Sequence, residues 1–220
     1  MDIGVLGGTG PAGQAVVVRL ASAGLDVVLG SRAKDRAQRV CEALRGRWPD
    51  HDLAIHPGDN ATAADADIVI VATPWDAAST TAASVADRLD GKVVVSMANA
   101  LAKVGDEFLP LIPPRGSVAS GVQAVVPAAL VAAALQHLPS RDLGDLDLPL
   151  EADVLVCSDH PQATTAVCDV IRRVPGLRPL DAGRLSSAAA IEALTAVLLQ
   201  LNVRYKARAS IRFTGLDRET

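Results

Sequence analysis

The chain opens on a short apolar run, Ile3-Gly4-Val5-Leu6, and Leu25-Asp26-Val27-Val28-Leu29 follows as a second. Between them, Gln14–Ala23 carries apolar positions at helical spacing, so the pattern predicts strand, turn, helix, strand. Four later runs, Ile68–Ala72, Val93–Ser96, Leu130–Leu135 and Val154–Cys157, are continuously apolar. That is expected of parallel strands covered on both faces, with the run at 154–157 as the last of them. Residues 33–47 form a predicted helix with Ala37, Val40, Cys41 and Leu44 on its buried stripe. Further helices are expected over 60–66, 77–89 (with Asp76 as N-cap), 117–126 and from Pro161 to about Arg173. The longest carries Ile191, Leu194, Leu198, Leu201 and Tyr205 on one stripe. Residues 49–59, with His51 and His56, read as a polar loop, and 102–117 as an irregular loop over a cleft. Strand and helix alternate along most of the chain, which points to a doubly wound parallel α/β sheet. Residues 1–140 form its main body, and 141–220 a smaller, largely helical C-terminal portion carrying the last strand.

The turn after the first strand is Gly7-Gly8-Thr9-Gly10-Pro11-Ala12-Gly13, in which residues 8–13 fit G-x-G-x-x-G. Between a strand and a helix this is the signature of a Rossmann-type dinucleotide site. Gly8 is expected to make the tight turn, Gly10 to admit a pyrophosphate, and Gly13 to let the helix pack on the sheet. The pyrophosphate then meets free N–H groups at the helix N-terminus. The second strand runs into Gly30-Ser31-Arg32, followed by Lys34 and Arg36, where an NAD site places an acid. A hydroxyl and guanidinium groups suit a 2′-phosphate, so the expected nucleotide is NADP(H).

In such sheets ligands lie at the carboxyl ends of strands. Thr73, Pro74 and Trp75 end one strand, and Trp75 either packs on a cofactor ring or makes a rigid corner. Asn99 follows another, offering a donor and an acceptor near the expected nicotinamide. His137 follows a third, as a ligand contact or as a structural residue. No Ser/His/Asp or paired-carboxylate arrangement is present, and no histidine keeps metal-ligand spacing.

Composition narrows the classes. Of 220 residues half are hydrophobic and only 2% aromatic, so the core is built from Ala, Val and Leu. Mean hydropathy is +0.27, yet no run was expected to reach the roughly 20 residues of a membrane span. The net charge of −4, without a basic block, argues against nucleic acid. Cys41, Cys157 and Cys168 lack CxxC spacing and read as buried thiols in a reducing cytoplasm. The last helix is more apolar than one domain needs, so burial in a homodimer is expected.

With these pieces in place, the chain resembles the NADPH-dependent reductases of the deazaflavin coenzyme F420. The resemblance rests on Gly7-Gly8-Thr9-Gly10, Gly30-Ser31-Arg32, Thr73-Pro74-Trp75 and Gly176-Leu177-Arg178-Pro179-Leu180-Asp181-Ala182-Gly183, with a chain end near Ile211-Arg212-Phe213-Thr214-Gly215. It implies that Thr9, Ser31, Arg32 and Arg36 hold the 2′-phosphate, and that Gly10, Pro11 and Ala12 lie along the pyrophosphate. It further implies that Thr73, Asn99 and Ser140 line the nicotinamide end, with the deazaflavin in a cleft closed by the C-terminal portion. Where the family commonly has a His, this chain has Gln136, with His137 next to it. Direct hydride transfer between two carriers needs alignment rather than a protein acid or base, so no side chain is expected to be catalytic in the strict sense. Two other readings share the nucleotide domain: an NADP-dependent imine or keto-acid reductase, and a non-catalytic NADP-binding sensor or scaffold.

Overall fold

The structure, a computed structural model, describes residues 1–216. The apolar runs become strands and the striped segments helices, in chain order β1 (Asp2–Leu6), α1 (Pro11–Ser22), β2 (Asp26–Ser31), α2 (Lys34–Arg47), β3 (Ile55–Asp59), α3 (Asn60–Ala64), β4 (Ile68–Val71), α4 (Trp75–Ala83), β5 (Val93–Ser96), β6 (Leu101–Val104), β7 (Glu107–Pro110), α5 (Val118–Val125), β8 (Leu130–Ala133), α6 (Ser140–Leu143), β9 (Ala152–Ser158), α7 (Pro161–Arg172), β10 (Leu177–Asp181) and α8 (Ala188–Tyr205). Eight strands form one sheet in the order β10-β9-β8-β5-β4-β1-β2-β3. All neighbours are parallel except β8 and β9. The order reverses direction between β1 and β4, which is the switch point where an open α/β sheet binds its ligand.

Two cores flank this sheet, as a doubly wound fold requires. Ile3, Val5, Val27, Leu29 and Ile70 point to α1, α2 and α7. Leu6, Val69, Val71, Val94 and Val131 point to α4, α5 and the start of α8. The three thiols are buried, and burial pushes those of Cys41 and Cys157 up to about 11, so both stay protonated.

The structure corrects the pattern in four places. Residues 55–59 are an edge strand, not loop, with His56 facing Asp26 across the neighbouring strand at 3.5 Å. Val154–Cys157 lies in β9 but is not the last strand: β10 follows and extends the sheet, with Pro179 tolerated because the strand is an edge. The stretch 102–117 is not all irregular: its first half belongs to the β6–β7 hairpin, which starts at Leu101 and turns at Gly105. Asp76 is in the first turn of α4 rather than its cap, because the helix already starts at Trp75.

Buried charge holds the C-terminal portion together and joins it to the rest of the fold. Asp153 on β9, 0% exposed, accepts from Arg178 Nε at 2.8 Å and Nη2 at 2.7 Å, and from the Phe213 amide at 2.6 Å. Arg178 also donates to the Phe213 carbonyl, so the strand and chain-end segments of the family resemblance meet here. The Arg178 bonds hold the Asp153 carboxyl below the ordinary range. On the other face Glu192 of α8 accepts from the amides of Val118 and Ala119 at 2.9 and 3.2 Å, joining α8 to the N-terminus of α5. Burial raises its pKa, against the pull of those two amides.

Alpha-helix α3 lies directly on β1, and only glycine permits this. A Cβ at Gly4 would sit 1.7 Å from the Ala63 carbonyl oxygen, whereas one at Gly46 on α2 would meet nothing within 4 Å. Gly4→Ala should therefore cost about 3 kcal/mol or more, read from urea unfolding midpoints, because the clash is with backbone. Gly46→Ala should be neutral or stabilise by up to about 1 kcal/mol. Equal midpoints for the two variants would refute the argument.

Candidate nucleotide and hydride-transfer site

The turn between β1 and α1 is built as a phosphate cradle. Gly7, with φ +72°, makes the reversal assigned from sequence to Gly8; a Cβ there would come 2.5 Å from Thr73 Cγ2. Gly8 instead donates to the Gly30 carbonyl at 2.9 Å, tying the turn to β2. Gly13 packs against Gly8, where a Cβ would be 2.7 Å from its Cα. At Gly10 the nearest atom to such a carbon is 3.6 Å away, leaving the side open for a ligand. Gly10 caps α1 without a side-chain bond and the first turn carries no acid, so the N-terminal amides of Ala12 and Gly13 meet no competing carboxylate.

Beside this turn lies a cavity of about 380 Å³. Of the expected residues it brings together Thr9, Gly10, Ser31, Arg32, Arg36, Thr73 and Pro74. It adds Gly7 of the same turn, and Ala33, Asn60, Ala72, Ala77 and Thr81, which the sequence did not mark as site residues. Ser31 is buried, and its Oγ accepts from the Ala33 amide at 3.3 Å, shaping the bend after β2. Arg32 and Arg36 are exposed, and no ion-pair partner holds either among the described residues. Asn60 is the most informative addition. Its Oδ1 accepts from the Gly7 amide at 3.3 Å, so the first residue of α3 fixes the first residue of the turn. The only sequence signal for it is its place straight after Gly58-Asp59, at the carboxyl end of a strand that polar composition conceals.

The larger cavity, of about 580 Å³ around Leu146–Glu151 and Gly176, offers less. Arg19, its innermost cation, is already spent on the carbonyls of Asp142, Leu143 and Asp145.

At the other end of the turn the expected residues separate. Pro11 and Ser140 line an open groove along α1, outside the 380 Å³ cavity. Trp75 is half-buried against the α4–α5 core and does not line the 380 Å³ cavity. Leu135 has φ +70°, an uncommon conformation for a branched side chain, and turns the two following residues inward. His137 is consequently 2% exposed, and its Nε2 engages the Asp153 carbonyl at 3.0 Å and the Leu155 amide at 3.4 Å. The structure thus holds His137 through Nε2 and leaves its Nδ1 without a partner, and burial lowers its pKa so that the ring is neutral. Asn99 is half-buried and donates from Nδ2 to the Gln136 carbonyl at 2.7 Å. Its acceptor Oδ1 faces Thr195 Oγ1 of α8 at 3.2 Å.

Three buried side chains here lack any hydrogen-bond partner: Thr73 after β4, Ser96 at the end of β5, and Gln136 beyond β8, with neither Oε1 nor Nε2 paired. Each such group costs about 1–3 kcal/mol. Their concentration at the carboxyl ends of three adjacent strands is what a site completed by a polar ligand would show, and it fits a nicotinamide nucleotide.

Comparison with known proteins agrees with this geometry. The family described as NADP oxidoreductase, coenzyme F420-dependent, matches residues 2–100. An F420-dependent NADP reductase of Methanocaldococcus jannaschii is 36% identical, over 99% of this chain and 100% of its own. Another, of Methanothermobacter marburgensis, is 32% identical over 98% and 99%. A crystal structure from Arthrobacter sp. FB24, 24% identical, covers 97% of this chain and 100% of its own with a TM-score of 0.77, which speaks for the fold. The identity over the full length of the Methanocaldococcus enzyme, on a chain whose phosphate turn and basic strand end are in place, makes this protein a member of the F420-dependent NADP reductase family.

Proposed function

We propose that this chain transfers a hydride directly between NADP(H) and the deazaflavin coenzyme F420. The observation that carries it is the cavity that gathers Thr9, Ser31, Arg32 and Arg36, with Thr73, one of the unpaired polar residues at the ends of β4, β5 and β8, in its wall, in a chain of this family. The chemistry the two carriers supply is transfer between nicotinamide C4 and deazaflavin C5. The protein's own part is to bind and align. Thr9, Ser31, Arg32 and Arg36 hold the 2′-phosphate through a hydroxyl pair and two guanidinium groups. Gly8, Gly10, Pro11, Ala12 and Gly13 receive the pyrophosphate on the α1 amides, and Asn60 keeps Gly7 in register. Thr73 and Asn99 face the nicotinamide, and Gln136 offers its unpaired carboxamide toward the deazaflavin. Pro74, Trp75 and Ser140 flank these positions. The hydride passes between nicotinamide C4 and deazaflavin C5, and the proton that the deazaflavin ring nitrogen gains on reduction and loses on oxidation is exchanged with solvent, so no side chain is assigned as acid or base.

Residues 1–140 then serve as the NADP-binding portion, and 141–220 close the deazaflavin side, with α8 reaching back to Asn99. We place the enzyme in the cytoplasm, in keeping with its buried, protonated thiols. A homodimer formed through α8 is supported by the apolar residues on its outer side, Val197, Leu201, Val203 and Tyr205, at 54, 38, 51 and 70% exposure. Leu185–Tyr205 is long and apolar enough to cross a membrane by length and composition alone, contrary to expectation, but Glu192 and Thr195 on it are hydrogen-bonded into the fold.

Absorbance near 420 nm should fall when protein, F420 and NADPH are mixed, and hardly with NADH; binding of NADPH without bleaching would overturn the reaction. Arg32→Ala should raise KM for NADPH about tenfold or more and leave that for NADH nearly unchanged, as loss of a charge-assisted pair requires. Equal effects on both would refute the 2′-phosphate assignment. Light scattering at micromolar concentration should give twice the 22.7 kDa chain mass, and a monomer would reject the dimer.

A further inference from the structure

We infer that Asn60 is a specificity-determining residue of the nucleotide site: its carboxamide nitrogen donates to the 2′-phosphate, while its carbonyl oxygen holds the phosphate turn. The inference rests on the NADP(H) assignment proposed above. Strands β2 and β3 pair with Ser31 opposite Asp59, so Asn60 leaves the sheet beside the strand end that carries Ser31 and Arg32. Gly30 keeps the space between them open, since a Cβ there would come 3.1 Å from Asn60 Oδ1. Asn60 is half-buried and lies in the wall of the 380 Å³ cavity that also gathers Thr9, Ser31, Arg32 and Arg36.

The orientation of its carboxamide follows from what it touches. The Gly7 amide can only donate, so the atom 3.3 Å from it must be Oδ1. A half-turn would set two donors against each other and lose the bond. Nδ2 is therefore the end directed away from the turn. It meets no acceptor among the described residues and is not sealed inside the protein, so its two N–H groups are left for what fills the cavity. The carboxylate next to it is engaged elsewhere: Asp59 Oδ1 accepts from the Thr62 amide at 2.7 Å and hydroxyl at 2.8 Å. The two arginines are exposed and attract any phosphate, whereas Asn60 is fixed by backbone and tests for an oxygen at one place. A ribose 2′-OH leaves that donor without its charged acceptor; a 2′-phosphate supplies it.

Asn60→Asp keeps an acceptor for the Gly7 amide and exchanges the donor for a second acceptor; Asn60→Ala removes both and brings no charge. Full-length protein is titrated by calorimetry with 2′,5′-ADP and with 5′-AMP, which lacks only the 2′-phosphate. Asn60→Asp should lose about tenfold or more in affinity for 2′,5′-ADP and keep that for 5′-AMP within about twofold. Asn60→Ala should weaken both ligands, because the turn loses its tie, yet the ratio of the two affinities should still fall about fivefold or more. An unchanged ratio in either variant would overturn the inference: in Asn60→Asp the donor would be idle, and in Asn60→Ala the loss would belong to the turn alone. Wild-type protein that binds neither ligand would refute the NADP(H) assignment and the inference with it. Wild-type protein that binds 2′,5′-ADP without bleaching F420 in the presence of NADPH would refute the reaction alone, and the affinity ratios would still decide the role of Asn60.

Discussion

The arrangement depends on how closely α3 lies on the sheet. Gly4 on β1, Gly30 on β2 and Gly58 on β3 present backbone alone to this helix. Side-chain carbons there would fall 1.7 Å from Ala63 O, 2.8 Å from Ala63 Cβ and about 3 Å from the Thr62 side chain, respectively. Asp59 closes the strand-to-helix step, its carboxylate accepting from the Thr62 amide at 2.7 Å and hydroxyl at 2.8 Å. At that separation a side chain as short as asparagine spans from α3 to the Gly7 amide. Gly7 in turn carries the left-handed φ that points the next amides along α1. A wider spacing would leave the Gly7 amide without this partner and the cavity without its Asn60 wall. The glycines that matter most for the nucleotide turn are therefore partly those outside it.

This explains what could be read in the chain and what could not. Buried parallel strands and the β1–α1–β2 unit announce themselves because both faces are covered and every position is apolar. The residues proposed for the 2′-phosphate end could be picked out for the same reason: they follow such a strand immediately. The two edges of the sheet are not. Strand β3, Ile-His-Pro-Gly-Asp, and β10, Leu-Arg-Pro-Leu-Asp, each pair on one side only, so proline and charge are admissible and the apolar signal vanishes. Losing β3 also hid Asn60, because nothing marked it as a residue at the carboxyl end of a strand. The setting of His137 is hidden for a different reason. Position in sequence places it beyond a strand end, but the positive φ of Leu135 decides which way it faces, and no residue type announces a left-handed leucine.

Helix α8 inverts the ordinary rule. Its apolar stripe from sequence included Leu201 and Tyr205, which the structure leaves 38 and 70% exposed, while Glu192 and Thr195 are buried. Burying a carboxylate is costly unless it is hydrogen-bonded, and here two backbone amides at a helix N-terminus meet it. The polar residues thus fix where α8 lies against α5 and β5, which apolar contact alone would leave free to slide. Since side-chain period is preserved, docking those residues inward turns part of the apolar stripe outward.

Charge is also graded along the cleft. The guanidinium groups of Arg32 and Arg36 are exposed, where solvent lowers the cost of a dianionic phosphate arriving and leaving. At the other end the groups are neutral: Thr73, Ser96, Asn99, Gln136 and Thr195, with His137 kept uncharged by burial. A fixed charge among them would favour one redox state of a nicotinamide, whose ring gains and loses a formal positive charge as it surrenders and accepts hydride. Neutral donors and acceptors hold either state with little electrostatic bias. In the proposed assignment they set geometry for transfer in both directions, while the arginines, at the other end of the cleft, supply affinity that does not depend on redox state.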